Sequence, residues 1–105
     1  MIARIWHGKT EASKADEYYK FLQATGIPDY QKTQGNRGVT VLRRIIEDEA
    51  HFLLITLWES EEAIRRFAGA DFQRAHYYSG DKDFLLEFEP CVVHYEVVAR
   101  SGFGT

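Results

Sequence analysis

The chain has 105 residues, 45% of them hydrophobic, which is the size and apolar content of a single globular domain. A formal net charge of −3 and a pI near 5.8 give no electrostatic basis for holding nucleic acid or an anionic membrane, and the Arg43-Arg44 and Arg65-Arg66 pairs are too small for a basic stripe. One cysteine, Cys91, excludes an internal disulfide; with a charged N-terminus (MIARIWHGK) lacking an apolar signal core, and no 18-residue apolar run, the expected location is the cytoplasm.

Ile2 to Trp6 reads as a first strand. Ser13 to Ala24 reads as a helix, with Ser13 and Asp16 in capping-box spacing, Ala15, Tyr18, Tyr19 and Leu22 on one face, and Gly26 as its stop. Pro28 to Thr33 is compatible with a further turn of helix, and Gly35-Asn36-Arg37-Gly38 is a loop signal. Val39 to Ile46 and His51 to Trp58 then form a hairpin around Glu47-Asp48-Glu49-Ala50. Ser60 is a helix N-cap, with Glu59, Glu61 and Glu62 at the positive end of the dipole and Ala63, Ile64 and Phe67 as the apolar stripe. That helix runs from Glu61 to Ala68 and breaks near Gly69. A second short helix is expected over Asp71 to Tyr78, then an irregular stretch to Pro90 and a last strand from Cys91 to Ala99. Residues 1–100 are expected to form one domain, and the glycine-rich 101–105 a flexible tail.

The order βαββαβ, with right-handed crossovers, predicts an α+β ferredoxin-like fold: a four-stranded antiparallel sheet with helices on one face. In the third strand both alternating sets are apolar, Leu53, Ile55 and Leu57 on one side and Phe52, Leu54 and Trp58 on the other. The last strand repeats this, with Val93, Tyr95 and Val97 opposite Val92 and Val98. Helices shield one face only, so the sequence predicts a homodimer packed sheet against sheet.

The segment Trp58-Glu59-Ser60 with its Glu62-Ala63 continuation, the βαββαβ order and the two-faced sheet resemble the antibiotic biosynthesis monooxygenase (ABM) domains of the dimeric α/β-barrel superfamily, over nearly the whole chain. The segments ARIWHG, GNRG, FAG, FLLEFEP and HYEV resemble a bacterial subgroup of that family. The resemblance implies a homodimer with a pocket in each subunit between helices and sheet. Some members oxidise aromatic polyketides with O₂ and no metal or flavin; others degrade haem. Quinone-forming members pair the strand-end tryptophan, here Trp58, with an asparagine four residues earlier, here Leu54, and an arginine on the next helix, here aligned with Tyr78. Haem-degrading members use a histidine on that helix, which His76 matches, with a tryptophan where this chain has Phe67 and an asparagine where it has Trp6 or His7.

Cofactor-free oxygenation needs a base to remove a phenolic proton, and a neutral imidazole in an apolar pocket suits the task. Of four histidines, His51 opens a strand beside an acidic turn and is expected to be solvated. His7 ends the first strand, and His94 shares a strand face with Glu96, which could orient it; each is read either as a pocket base or as a structural histidine, and His94 in particular as a hydrogen-bonded interface residue. Trp58 either fills the core or lines the cavity. His7, His94 and Trp58 are thus the catalytic candidates, and Trp6, Leu54, Ile64, Phe67, His76, Tyr77 and Tyr78 the substrate-binding ones. The histidines lack metal-ligand spacing and Cys91 lacks a charged activator, so no metal and no thiol nucleophile is expected. Three functions follow: a cofactor-independent monooxygenase of a small aromatic or polyketide-like compound, a haem-binding or haem-degrading protein, or a non-catalytic small-molecule-binding dimer.

Overall fold

Two ten-residue antiparallel strands, β1 (Ile2–Glu11) and β3 (Glu49–Trp58), form the middle of a four-stranded sheet. The computed structural model describes residues 1–102. Strand β2 (Asn36–Ile46) flanks β3 and the short β4 (Val93–Glu96) flanks β1, giving the order β2-β3-β1-β4 with every pairing antiparallel. Helices α1 (Ala15–Ala24), α2 (Gly26–Lys32) and α3 (Glu61–Ala68) pack on one face, the expected ferredoxin-like α+β arrangement.

Side-chain alternation divides the sheet into a covered and an open face. In β3, Ala50, Phe52, Leu54, Thr56 and Trp58 are buried beneath the helices while the residues between them are half-exposed. In β1 the same parity buries Arg4, Trp6 and Thr10. On the open face Leu53, Ile55 and Leu57 sit beside Leu42 and Ile46 of β2 and Val93 and Tyr95 of β4, which are 41–58% exposed.

The β2–β3 hairpin turns on two residues, Glu47 and Asp48, with Ile46 paired to Glu49. It is tighter than the four-residue turn read from the sequence because Glu47 adopts a positive φ of 55°. Gly35, at φ 95°, lies where a side chain would collide with Ala63, so β2 begins against the α3 helix. Ser60 caps α3 as expected, its hydroxyl accepting from the Ala63 N–H at 3.2 Å, and Gly69, φ 88°, ends it.

Three local expectations are overturned. Ser13 does not cap α1: Ala12–Lys14 forms a 3-10 turn first, and the helix starts at Ala15 without a side-chain cap. Gly26 does not stop that helix but opens α2, the break falling at Thr25. Asp71 to Tyr78 is irregular rather than helical, because its backbone pairs with the chain before β4: the Ala75 N–H donates to Pro90 O and the Val92 N–H to Gln73 O, both at 2.9 Å. The last strand is correspondingly short, four residues in place of nine. Of the 101–105 tail, positions 103–105 lie outside the described residues.

Candidate functional site

Between α1, α2 and the sheet lies a small pocket. Trp6 and Leu54, register partners across β1 and β3, form its floor; Tyr18 and Leu22 of α1 and Gly26 and Tyr30 of α2 form two walls. His76, Tyr78 and Asp81, from the irregular segment and the 3-10 turn Ser79–Asp83 after it, close the third side. As folded the pocket holds about 10 Å³, room for about one water. Four of the residues expected to bind substrate, Trp6, Leu54, His76 and Tyr78, therefore converge.

The walls are rich in proton-bearing groups. Asp81 is 3% exposed; burial pushes its carboxyl above the ordinary range, opposed by the Tyr78 N–H (2.7 Å) and the Tyr18 hydroxyl (3.0 Å), which both donate to it, and by His76 nearby. The Tyr78 hydroxyl donates to Asp29 Oδ2 at 2.5 Å, holding that carboxyl below its usual range, while burial and Asp29 raise the phenol itself. Burial raises Tyr18 strongly and Tyr30 to about 12. Trp6 Nε1 is buried without a hydrogen bond: Tyr77 packs edge-on against the indole, but its hydroxyl is turned to the Glu89 carbonyl at 2.6 Å.

The other candidates lie elsewhere. Trp58 is fully buried, its Nε1 donating to the Thr56 hydroxyl at 2.8 Å and its ring packed on Tyr30 and Phe67; it fills the core behind the pocket wall. Ile64 is likewise buried under α3. Phe67 stacks between Tyr30 (4.5 Å) and His76 (5.2 Å), so it backs the pocket, and Tyr77 packs between Trp6 and Phe88.

The two imidazoles read as possible bases are absent from the pocket lining. The expectation that His7 could face the helix-covered cavity is overturned, since β1 parity sends it to the open face, where Nδ1 contacts Glu89 and Nε2 lies 3.1 Å from His51 Nδ1. His51, expected to be solvated, is half-buried in this pair. His94 does lie on the covered side, edge-on to Phe72 at 5.0 Å, in a groove of about 520 Å³ at the sheet edge. The proposed His94–Glu96 pair is not formed: burial and Arg4 lower the imidazole, Glu61 opposes, and Nε2 has no hydrogen-bond partner. Among the described residues, one group of potential ligand atoms lies close together, His7 with Glu87 and Glu89, and Lys9 Nζ, 3.9 Å from Glu87, supplies a cation there.

The sequence signature of antibiotic biosynthesis monooxygenases matches residues 9–77, well over half of the chain. The chain belongs to the antibiotic biosynthesis monooxygenase family. Solved structures share its fold. A candidate antibiotic biosynthesis monooxygenase from Bacillus cereus superposes with a TM-score of 0.64 at 16% identity, covering 96% of each chain. The haem-degrader MhuD of Mycobacterium tuberculosis, with two haems in its active site, superposes at 0.65 and 21% identity over 97% of this chain and 100% of that one. The haem-free form of the same protein, in a cleaved state, gives 0.61 at 22% identity, over 96% and 98%. No curated protein matches the chain at a significant level.

Within this family member, sequence reasoning missed Asp81, Tyr18 and Tyr30 as pocket groups. Tyr18 was legible as part of the α1 apolar face, but nothing marked it as a polar wall. Asp81 falls in a stretch without periodicity, so no pattern could assign it a direction.

Proposed function

We propose that this ABM-family protein is a monooxygenase that oxidises a small aromatic, phenol-bearing compound with O₂, without a resident cofactor, in the pocket floored by Trp6 and Leu54. The observation that carries this reading is Asp81, a buried carboxyl held above the ordinary range and flanked by Tyr18, Tyr78 and His76. Asp81 then takes the role expected of His7 or His94: burial raises its pKa toward the pH at which a general base works best. It accepts the phenolic proton, and the electron-rich anion reduces O₂. For an anthrone-type substrate the step balances as CH₂ + O₂ → C=O + H₂O, the carbon supplying all four electrons. The unpartnered Trp6 Nε1 offers a hydrogen bond that orients a ring oxygen. Admission of substrate requires the segment bearing His76 and Tyr78 to move, because the pocket as folded holds about 10 Å³.

The same reading makes the working unit a homodimer, the open face with Leu42, Ile46, Val93 and Tyr95 meeting its equivalent on a second copy. About 800 Å² buried per subunit would meet the usual size of a stable interface. A lone, exposed thiol at Cys91 fits a cytoplasmic location, and no helix among the described residues is long and apolar enough to cross a membrane.

The test is oxygen uptake by pure protein with anthrones and hydroquinones, comparing Asp81→Asn. Loss of about 100-fold in turnover by a folded variant is expected; unchanged turnover in that variant overturns the assignment of Asp81. A second reading, haem binding, is favoured by His76, an exposed imidazole at the pocket mouth. It needs a much larger opening than a single aromatic ring does, and absence of a Soret shift on titrating haem removes it.

A further inference from the structure

Two residues before Trp6 on the covered face of β1 stands Arg4, 1% exposed. Strand parity turns it inward with Trp6 and Thr10, so the sheet withdraws a guanidinium from water, a group that is almost always paired when fully buried. Among the described residues Arg4 forms no ion pair. Its contacts are with neutral groups. One Nη donates to the Arg74 carbonyl at 3.0 Å, the guanidinium carbon lies 5.4 Å from the centre of the Phe67 ring, and the Tyr30 phenol is close by. Nε has no hydrogen bond.

Two more buried polar atoms nearby are in the same state, Trp6 Nε1 and His94 Nε2, the latter in register with Arg4 across β1 and β4. All three are nitrogens, and among the described residues no buried side-chain oxygen is left without a partner. Arg4 Nε and Trp6 Nε1 are thus two buried donors without an acceptor. Phe67, which covers Arg4, also stacks on His76 and Tyr30, two walls of the pocket. Arg74, whose carbonyl occupies Arg4, belongs to the same irregular segment as His76. Arg4 lies outside the lining of the closed pocket, behind Phe67, and a movement of this segment that carries Arg74 with it would free the guanidinium toward the opening.

We propose that Arg4 is the specificity-determining residue of the pocket and that the substrate is an aromatic carboxylate, whose two oxygens take the place of the Arg74 carbonyl on the guanidinium fork. This rests on the reading of the pocket as a site for aromatic compounds and narrows its substrate class. The fork presents parallel N–H groups at the spacing of a carboxylate, and in a site closed to water such a pair is strong and directional.

Calorimetric titration of the full chain with 1-naphthoate and with its neutral isostere 1-naphthamide tests the inference, using wild type, Arg4→Met and Arg4→Lys. Wild type should bind the naphthoate at least about tenfold more tightly, as expected of a charge-assisted pair. Arg4→Met should erase that preference while keeping its affinity for the amide, and Arg4→Lys should retain part of it. Equal affinity of wild type for both probes overturns the role of Arg4 and leaves the aromatic pocket standing; binding of neither overturns both. If Arg4→Met fails to fold, the wild-type comparison and Arg4→Lys still decide.

Discussion

The Tyr18 hydroxyl donates to Asp81 Oδ1 at 3.0 Å, tying the first helix to the 3-10 turn that closes the pocket. Both groups are buried, so the bond is made where water cannot substitute for either partner. Tyr18→Phe should cost about 1–3 kcal/mol, the penalty for leaving a buried acceptor with one donor fewer, as read by urea unfolding. It should also raise the Asp81 pKa further, because the lost donor favours the ionised form.

Burial raises the folded-state pKa of Asp81 above its unfolded value of 3.8. The stability this group contributes is therefore fully present below that pH and is lost as pH rises through the folded value. Asp81→Asn, neutral throughout, should lose stability less steeply across that window. Unfolding free energies of the two proteins measured from pH 4 to 7 should diverge at the acid end and run parallel above; parallel curves throughout would exclude a raised carboxyl.

His94 carries the opposite sign. Burial and Arg4 hold its imidazole below 6.5, against the pull of Glu61, while Phe72 covers the ring. Its contribution is fully present above pH 6.5 and is lost as pH falls through the folded value, since the unfolded chain takes up the proton first. His94→Gln should flatten the acid limb of the stability profile between pH 6.5 and 5. An unaltered slope would place His94 in ordinary solvent.

What the sequence makes legible follows from where one physical effect dominates. Alternation in Phe52 to Trp58 gives both the strand and its two faces, and Ser60 followed by acidic residues gives the α3 start, because period and cap each act over a few residues. Asp71 to Tyr78 defeats the same reasoning. Its aromatics have helical spacing, yet Ala75 and Gln73 spend their backbone groups on Pro90 and Val92, a long-range pairing that no local propensity encodes. The pocket follows suit: the sequence brings out Trp6, Leu54, His76 and Tyr78 of its lining but not Asp81, and it also passes over the buried Arg4, which lies outside that lining. Arg4 had a signal, its parity with Trp6 in the first strand.

Gly8 lies two residues past Trp6 on the same side of β1, and a Cβ there would come within 2.3 Å of the indole Cη2. The glycine is the space into which the Trp6 ring folds. Gly8→Ala should swing the indole off the pocket floor at about 1–3 kcal/mol, the usual cost of an added methyl in a packed core. A red-shifted tryptophan emission and weakened ligand binding are the expected signs, and an unchanged spectrum would mean that the ring has room elsewhere.

Leu53 pairs with Leu42 on β2 and with His7 on β1, at the centre of the open face. Isolated apolar side chains on a surface mean little, but Leu42, Leu53, Ile55, Ile5, Val93 and Tyr95 run across all four strands without a helix over them. A second copy of the same face would remove this area from water, and a carboxylate at its centre would be buried there unpaired, which costs several kcal/mol. In the free monomer the same carboxylate is hydrated and costs little. Leu53→Glu should therefore give a folded monomer by analytical ultracentrifugation, with the far-UV circular dichroism of the wild type. Wild type should sediment as a dimer, and so should Glu17→Lys, an exposed change on α1 well away from this face. A Leu53→Glu protein that sediments as the wild-type dimer would show that the sheets do not meet, and the open face would then need another occupant.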